Sequence, residues 1–224
     1  MRMLAVFEKS ERIRHIGHLD IQRSVQRGLR RSGLPVAYSN GFNPHILISF
    51  ASALSTGAAG KREIMDVTMA EPVTAEAFVS AMNGAMPPDL RVLEARALED
   101  KHPAMMSLVR AARYDMAIDG EEAFRTIQGI IPAAMAKETL TAMRKTKTKL
   151  AECNIRPLIH EIEAEDGHLR AVLTLNEKEA CKPRMLLEAL CREAGMAEIP
   201  RATVTRLGLM GENDEGQLVP LETV

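Results

Sequence analysis

The chain has 224 residues, a formal net charge of −1, 46% hydrophobic residues and 26% charged residues. These are the proportions of an ordinary soluble globular chain, enough for one large domain or two small ones, and they exclude a globally basic nucleic-acid binder. No Trp, 3% aromatics and 14 Met predict an aliphatic, Met-filled core.

Met1 to Phe7 reads as a short strand and Glu8 to Glu11 as a turn. Arg12 to Ile16 alternates basic and apolar residues, the period-2 pattern of a half-buried strand. Gly17-His18-Leu19-Asp20 opens a helix that runs to about Ser32, where Gly33 and Pro35 stop it. At ~100° per residue, Ile21, Val25, Gly28, Leu29 and Ser32 share one face, and Arg23, Arg27, Arg30 and Arg31 lie roughly opposite. Leu34 to Tyr38 is a strand. Ser39 to Pro44 is a loop, since Asn-Gly and Asn-Pro are turn signals. Ile46 to Phe50 is a strand, followed by a small-residue, Gly-rich stretch to Lys61 and a strand over Glu63 to Met69. Thr74 caps a helix over Ala75 to Met86 with Phe78, Val79 and Met82 inward. Leu90 to Leu98 is a further strand.

The second half follows a similar plan. Ala104 to Ala112 reads as a short helix and Arg113 to Ile118 as a strand. Glu121 to Gly129 and Pro132 to Thr141 read as two helices. Arg144 to Lys149 reads as a basic ribbon of alternating Lys/Arg and Thr. Asn154 to Glu163 and His168 to Leu175 form a hairpin around Asp166-Gly167. Pro183 to Ala194 is a helix with Met185, Leu186, Ala189 and Leu190 inward. Ala202 to Met210 is the last strand, and the tail from Gly211 is polar. The order predicts an α+β fold of two tandem ferredoxin-like (split βαβ) domains with antiparallel sheets, residues 1–103 and 104–224.

Charge is unevenly spread. Residues 1–50 hold eight Lys/Arg against three acids, a net of +5 that leaves −6 for the rest. That is a basic face on a neutral protein. Cys153, Cys181 and Cys191 are scattered without a CxxC pair, which predicts a reducing compartment. No signal-peptide core and no run of ~18 apolar residues is present, so a cytoplasmic location and no membrane contact are expected.

The stretch HLDIQRSVQRGLRRSGLPVAYSNGFNPHILISFA resembles the signature of bacterial radical-SAM-linked proteins, a family of unknown function. The resemblance continues through Gly57, Glu63 to Val67 and RKTKTKLAECNIRPLI, and so covers most of the chain. It implies association with a radical SAM enzyme that uses an iron-sulfur cluster, S-adenosylmethionine and cobalamin, with RNA as the expected substrate class. This chain has no CxxxCxxC motif, so those cofactors are expected on the partner and none on this chain.

Four constellations carry candidate chemistry. The arginine face can pair bidentately with phosphates, or be an ordinary solvated surface. In the loop, Phe42 is a stacking face and Asn43 a hydrogen-bond partner, unless Phe42 is tucked into the core. Arg144, Lys145 and Lys147 form a second basic patch, and Arg156 is held extended before Pro157, aimed at a ligand or at Glu161 or Glu163. His15, His18 and His45 are candidates for acid/base chemistry, while His15 and His18 as a metal pair lack further ligands, so no metal is expected. The leading expectation is an RNA-binding or substrate-presenting accessory module. An endonuclease using the histidines and a protein adaptor for the radical SAM partner stand beside it.

Overall fold

In the computed structural model the described residues are 1–99, 101–145 and 150–224, with the side chain of Lys145 outside the description. The fold is mixed α+β with antiparallel strand pairing and five α-helices among the described residues. Compactness divides the chain in two. Met1–Val109 and Arg206–Val224 make the first unit, and Arg110–Thr205 the second. Residues 206–224 thus lie with the first unit, whereas the sequence reading grouped them with 104–205.

The first unit runs β1 (Arg2–Lys9), α1 (His18–Arg31), β2 (Ile48–Phe50), β3 (Ala58–Thr68), α2 (Ala75–Ala85), β4 (Leu90–Leu98) and the single turn α3 (Met105–Leu108). β1 pairs antiparallel with both β3 and β4, and β2 pairs with the far end of β3. Met3, Ala5 and Phe7 alternate onto the face that meets Ile21, Val25 and Leu29 of α1 and Phe78 and Met82 of α2. This core is aliphatic and Met-rich, as composition predicts. Leu4 and Val6 point the other way and are also buried.

The second unit runs β5 (Ala111–Ile118), α4 (Glu121–Met135), β6 (Thr141–Lys145), β7 (Leu150–Asn154), β8 (Ile159–Glu165), β9 (His168–Thr174), α5 (Pro183–Glu193) and the start of β10 (Ala202–Glu212). β5 pairs with β9 and β9 with β8, all antiparallel, while β6 and β7 form a separate ribbon. The predicted hairpin turn is present: Asp166 at φ 51° and Gly167 at φ 83° take the two positive values that a type I′ turn needs. α5 buries Met185, Leu186, Ala189 and Leu190 as its periodicity requires.

Local structure departs from the sequence expectations at several places. Arg12 to Ile16 is no strand: Glu11–Ile13 is a 3-10 turn, and the chain then curls so that the carbonyls of Arg14 and Ile16 both meet the Lys9 ammonium. Leu34 to Tyr38 contributes only isolated bridges, Val36 to Met69 and Tyr38 to Ile46. The Gly-rich stretch joins β3 from Ala58 onward. α4 continues through Pro132 instead of breaking into two helices, and the helix read over Ala104 to Ala112 is one turn, with Ala111 already in β5. The polar tail also has structure. β11 (Leu218–Pro220) pairs with β10, and Leu221 is fully buried.

Candidate nucleic-acid interface

α1 starts where the sequence places it. Gly17 is an extended N-cap, and Asp20 sits in the first turn, where a carboxylate suits the positive end of the helix. Its end is closed by the Ser32 N–H donating to the Gly28 carbonyl and the Ser32 hydroxyl donating to that of Leu29. Gly33 follows at φ +72°, the left-handed exit that favours glycine.

The apolar stripe inward leaves the arginines outward, and the four are not equivalent. Arg23 pairs with Asp20 at 2.9 Å. Arg31 donates to the carbonyl of Ala85 at the end of α2. Arg27 and Arg30 are exposed and, among the described residues, meet no carboxylate. An exposed i,i+3 ion pair contributes at most a few tenths of a kcal/mol, so Arg23 is available to a stronger anion.

The loop after α1 is a tied protrusion. Ser39 N–H donates to the His45 carbonyl at 2.9 Å, and the Ser39 hydroxyl accepts from the His45 N–H at 3.1 Å. His45 Nδ1 lies 2.8 Å from the same hydroxyl, which closes the neck a third time. Beyond this neck Gly41 has φ +120°, and Phe42 is 105% exposed. The alternative that Phe42 packs in the core is thereby excluded. Asn43 is exposed beside it, and Tyr38 is half exposed at the base of the loop.

The histidines have separate surroundings. His15 is exposed in the turn before α1, and His45 belongs to the loop neck. His18 stacks edge-on against Phe50, ring centres 5.4 Å apart. Burial is the main cause that holds its pKa below the ordinary imidazole value, partly offset by Glu63. The folded state therefore takes up its proton at lower pH than the unfolded chain does. The His18 contribution to stability is complete above about pH 6.5 and is lost as pH falls toward the lowered folded value. His18→Phe is expected to flatten this acid-side slope between about pH 7 and pH 5, read from urea midpoints; an unchanged slope would show that His18 does not supply it. Among the described residues no group of three His, Cys, Asp or Glu is placed to hold a metal ion.

In the second unit, Arg144 is half buried in β6, whose Lys145 backbone pairs with Leu150 of β7. Lys147 lies outside the described residues. Arg156 donates from Nε to the carbonyl of Met135 at 3.0 Å, so it caps the end of α4 and pairs with neither Glu161 nor Glu163.

The sequence reading missed the network beneath the start of α1. Lys9, Glu63 and Arg206 are 2%, 3% and 1% exposed. Arg206 forks onto Glu63, with Nε to Oε1 at 2.8 Å, and also donates to the Ser52 hydroxyl and the Ala53 carbonyl, each at 3.3 Å. Lys9 donates to the carbonyls of Arg14, Ile16 and Ala58 at 2.8, 3.0 and 3.0 Å. A cavity of about 10 Å³, room for one water, is lined by Lys9, His18, Ser52, Glu63 and the rings of Phe7 and Phe50. The glycine at 60 is part of this design, since a Cβ there would lie 2.6 Å from Glu63 Oε1. The network ties β1, β3, β10 and the segment leading into α1 together, and it sets where the arginine helix begins. Its signal in sequence was weak: Lys9 closes an apolar strand and Glu63 sits inside one, but their partners lie far off in the chain.

Among the described residues no helix is long and apolar enough to cross a membrane. Residues 2–183 match a family described as uncharacterized proteins conserved in bacteria (DUF2344). No curated protein matches the chain.

Proposed function

The chain belongs to the DUF2344 family, and on that premise we propose that it is a single-stranded RNA-binding module that presents RNA to a radical SAM enzyme for modification. Phe42 carries the reading. A phenyl ring held wholly in water on a tied loop gains nothing for the fold, and a base stacked on it removes that exposed apolar surface. The guanidinium groups of Arg27 and Arg30, with Arg23 and Arg31, supply phosphate contacts in the same unit, and Asn43 can meet a base edge. Arg144, Lys145 and Lys147 would add a second basic contact from the second unit. The radical SAM partner rests on the resemblance stated above; it would bring the iron-sulfur cluster, S-adenosylmethionine and cobalamin. A cytoplasmic site of action goes with that chemistry.

We read both units as ferredoxin-like. In the first, β1, α1, β2, β3, α2 and β4 follow in order, and the pairings run β4 to β1 to β3 to β2. In the second, β5, α4, β8, β9 and α5 follow the same succession with β5–β9–β8 paired, and the β6–β7 ribbon is an insertion.

The test is anisotropy of a labelled single-stranded RNA. Four phosphate contacts predict a log–log salt slope near −2.8, and so a loss of about 50-fold between about 50 and about 200 mM salt. Arg27→Glu with Arg31→Glu should remove most of the binding and flatten the slope. Phe42→Ala should weaken binding by about 1–3 kcal/mol and leave the slope alone. Binding that ignores salt, or none at low salt, would overturn the reading.

A further inference from the structure

We infer that the cleft between α1 and the last turn of α2 is a site for a phosphomonoester dianion, so that the module grips the phosphorylated end of its RNA. The inference rests on the RNA reading above and narrows its substrate to phosphate-ended strands. One wall is Ser24, Arg27 and Arg31, at i, i+3 and i+7 on a single ridge of α1. The other is Gly84 to Pro87. The cleft measures about 490 Å³, and no carboxylate lines it.

Two features show that the cleft is built by close packing. Gly28 lets the helices approach, because a Cβ there would lie 2.7 Å from Met86 Cγ. Arg31 is held by its bond to the Ala85 carbonyl, which uses one of its five donors and covers the negative end of α2. Without that cover, the end of a helix would repel an anion.

Charge selects the ligand. Two guanidinium groups carry +2, and no carboxylate lines the cleft to balance them; the Ala85 carbonyl takes one donor of Arg31. A terminal phosphate carries about −1.5 to −2 at neutral pH, close to that value. An internal phosphodiester has one charge and two ester-blocked oxygens, so it satisfies the cleft less well. The Ser24 hydroxyl adds a donor one turn from Arg27, and a third oxygen of a monoester can accept from it.

The experiment uses the full chain and one single-stranded RNA in three forms, with a 5′-phosphate, a 3′-phosphate, or hydroxyls at both ends. A free nucleoside monophosphate is titrated alongside by calorimetry. One phosphorylated form should bind about tenfold tighter than the hydroxyl-ended strand. Ser24→Ala should reduce that preference, while hydroxyl-ended RNA binds variant and parent alike, and Arg27→Gln, which removes one of the two selecting charges, should remove most of it. Equal binding of all three RNAs overturns the cleft and leaves the RNA reading standing. A preference that Arg27→Gln leaves at its full size also overturns it. Should no RNA bind while the nucleoside monophosphate binds and is lost in Arg27→Gln, the RNA reading falls and the cleft stands. If neither binds, both fall.

Discussion

Glu63→Ala is expected to be among the most destabilising single changes in this chain, at about 3–5 kcal/mol. The reason is what it leaves behind. Arg206 is 1% exposed, and its guanidinium is forked onto the Glu63 carboxylate. With Glu63 gone, the buried cation loses the carboxylate onto which it forks, and the neutral oxygens of Ser52 and Ala53 that it also meets carry no charge to replace it. Against a typical total of about 5–15 kcal/mol, that loss shifts the urea midpoint of the first unit severely. The double change Glu63→Leu with Arg206→Met separates the pair from its burial. It removes both charges and replaces them with apolar groups of similar size, so it should recover much of the loss. A loss below about 1 kcal/mol in the single variant would be the figure for a solvated surface pair, and would refute the buried arrangement.

The second large effect is expected at Lys9→Met. Burial is the main cause that pushes the Lys9 pKa down, with Glu63 raising it and Arg206 lowering it. Its geometry demands the ammonium all the same: three N–H donors meet three backbone carbonyls, of Arg14, Ile16 and Ala58. Methionine matches the stem and supplies no donor. Each abandoned acceptor that stays buried costs about 1–3 kcal/mol, so a total of roughly 3 kcal/mol or more is expected unless the segment opens to water. Opening is a readable outcome. Hydrogen exchange over Glu11 to Gly17 should then speed up, while the amides of β1 and β3 stay protected. If neither stability nor exchange changes, Lys9 does not organise the entry to α1.

These two changes act on the support of the proposed RNA face and leave its contacting side chains in place. Lys9→Met is therefore also a control for the function. It should loosen the start of α1 without touching Arg27, Arg30 or Phe42, and so reduce RNA affinity less than the charge reversals do.

Much of the arginine helix was legible in the sequence, because both of its determinants are local. Its 3.6-residue stripe of Ile21, Val25, Gly28 and Leu29 and its stop at Gly33 depend on neighbours a few residues apart. The Asp166-Gly167 turn was legible for the same reason, since positive φ is a property of the residues themselves. The Arg12 to Ile16 alternation misled because five residues fit a strand or a turn equally well, and the Lys9 ammonium decided between them. Pro132 misled in the opposite direction: α4 passes through it.

By itself, then, the sequence determined the α+β class, the faces of α1 and α5, the I′ hairpin and the basic bias of the first fifty residues. Each follows from local spacing or composition. The tertiary structure alone decided that Phe42 stands in water, that Arg31 and Arg156 cap helix ends, that the tail belongs to the first unit, and that Glu63 and Arg206 are one buried pair. Those depend on contacts between residues as far as 160 positions apart. No periodicity reports such contacts, because burial of a charge is set by which distant partner arrives to compensate it.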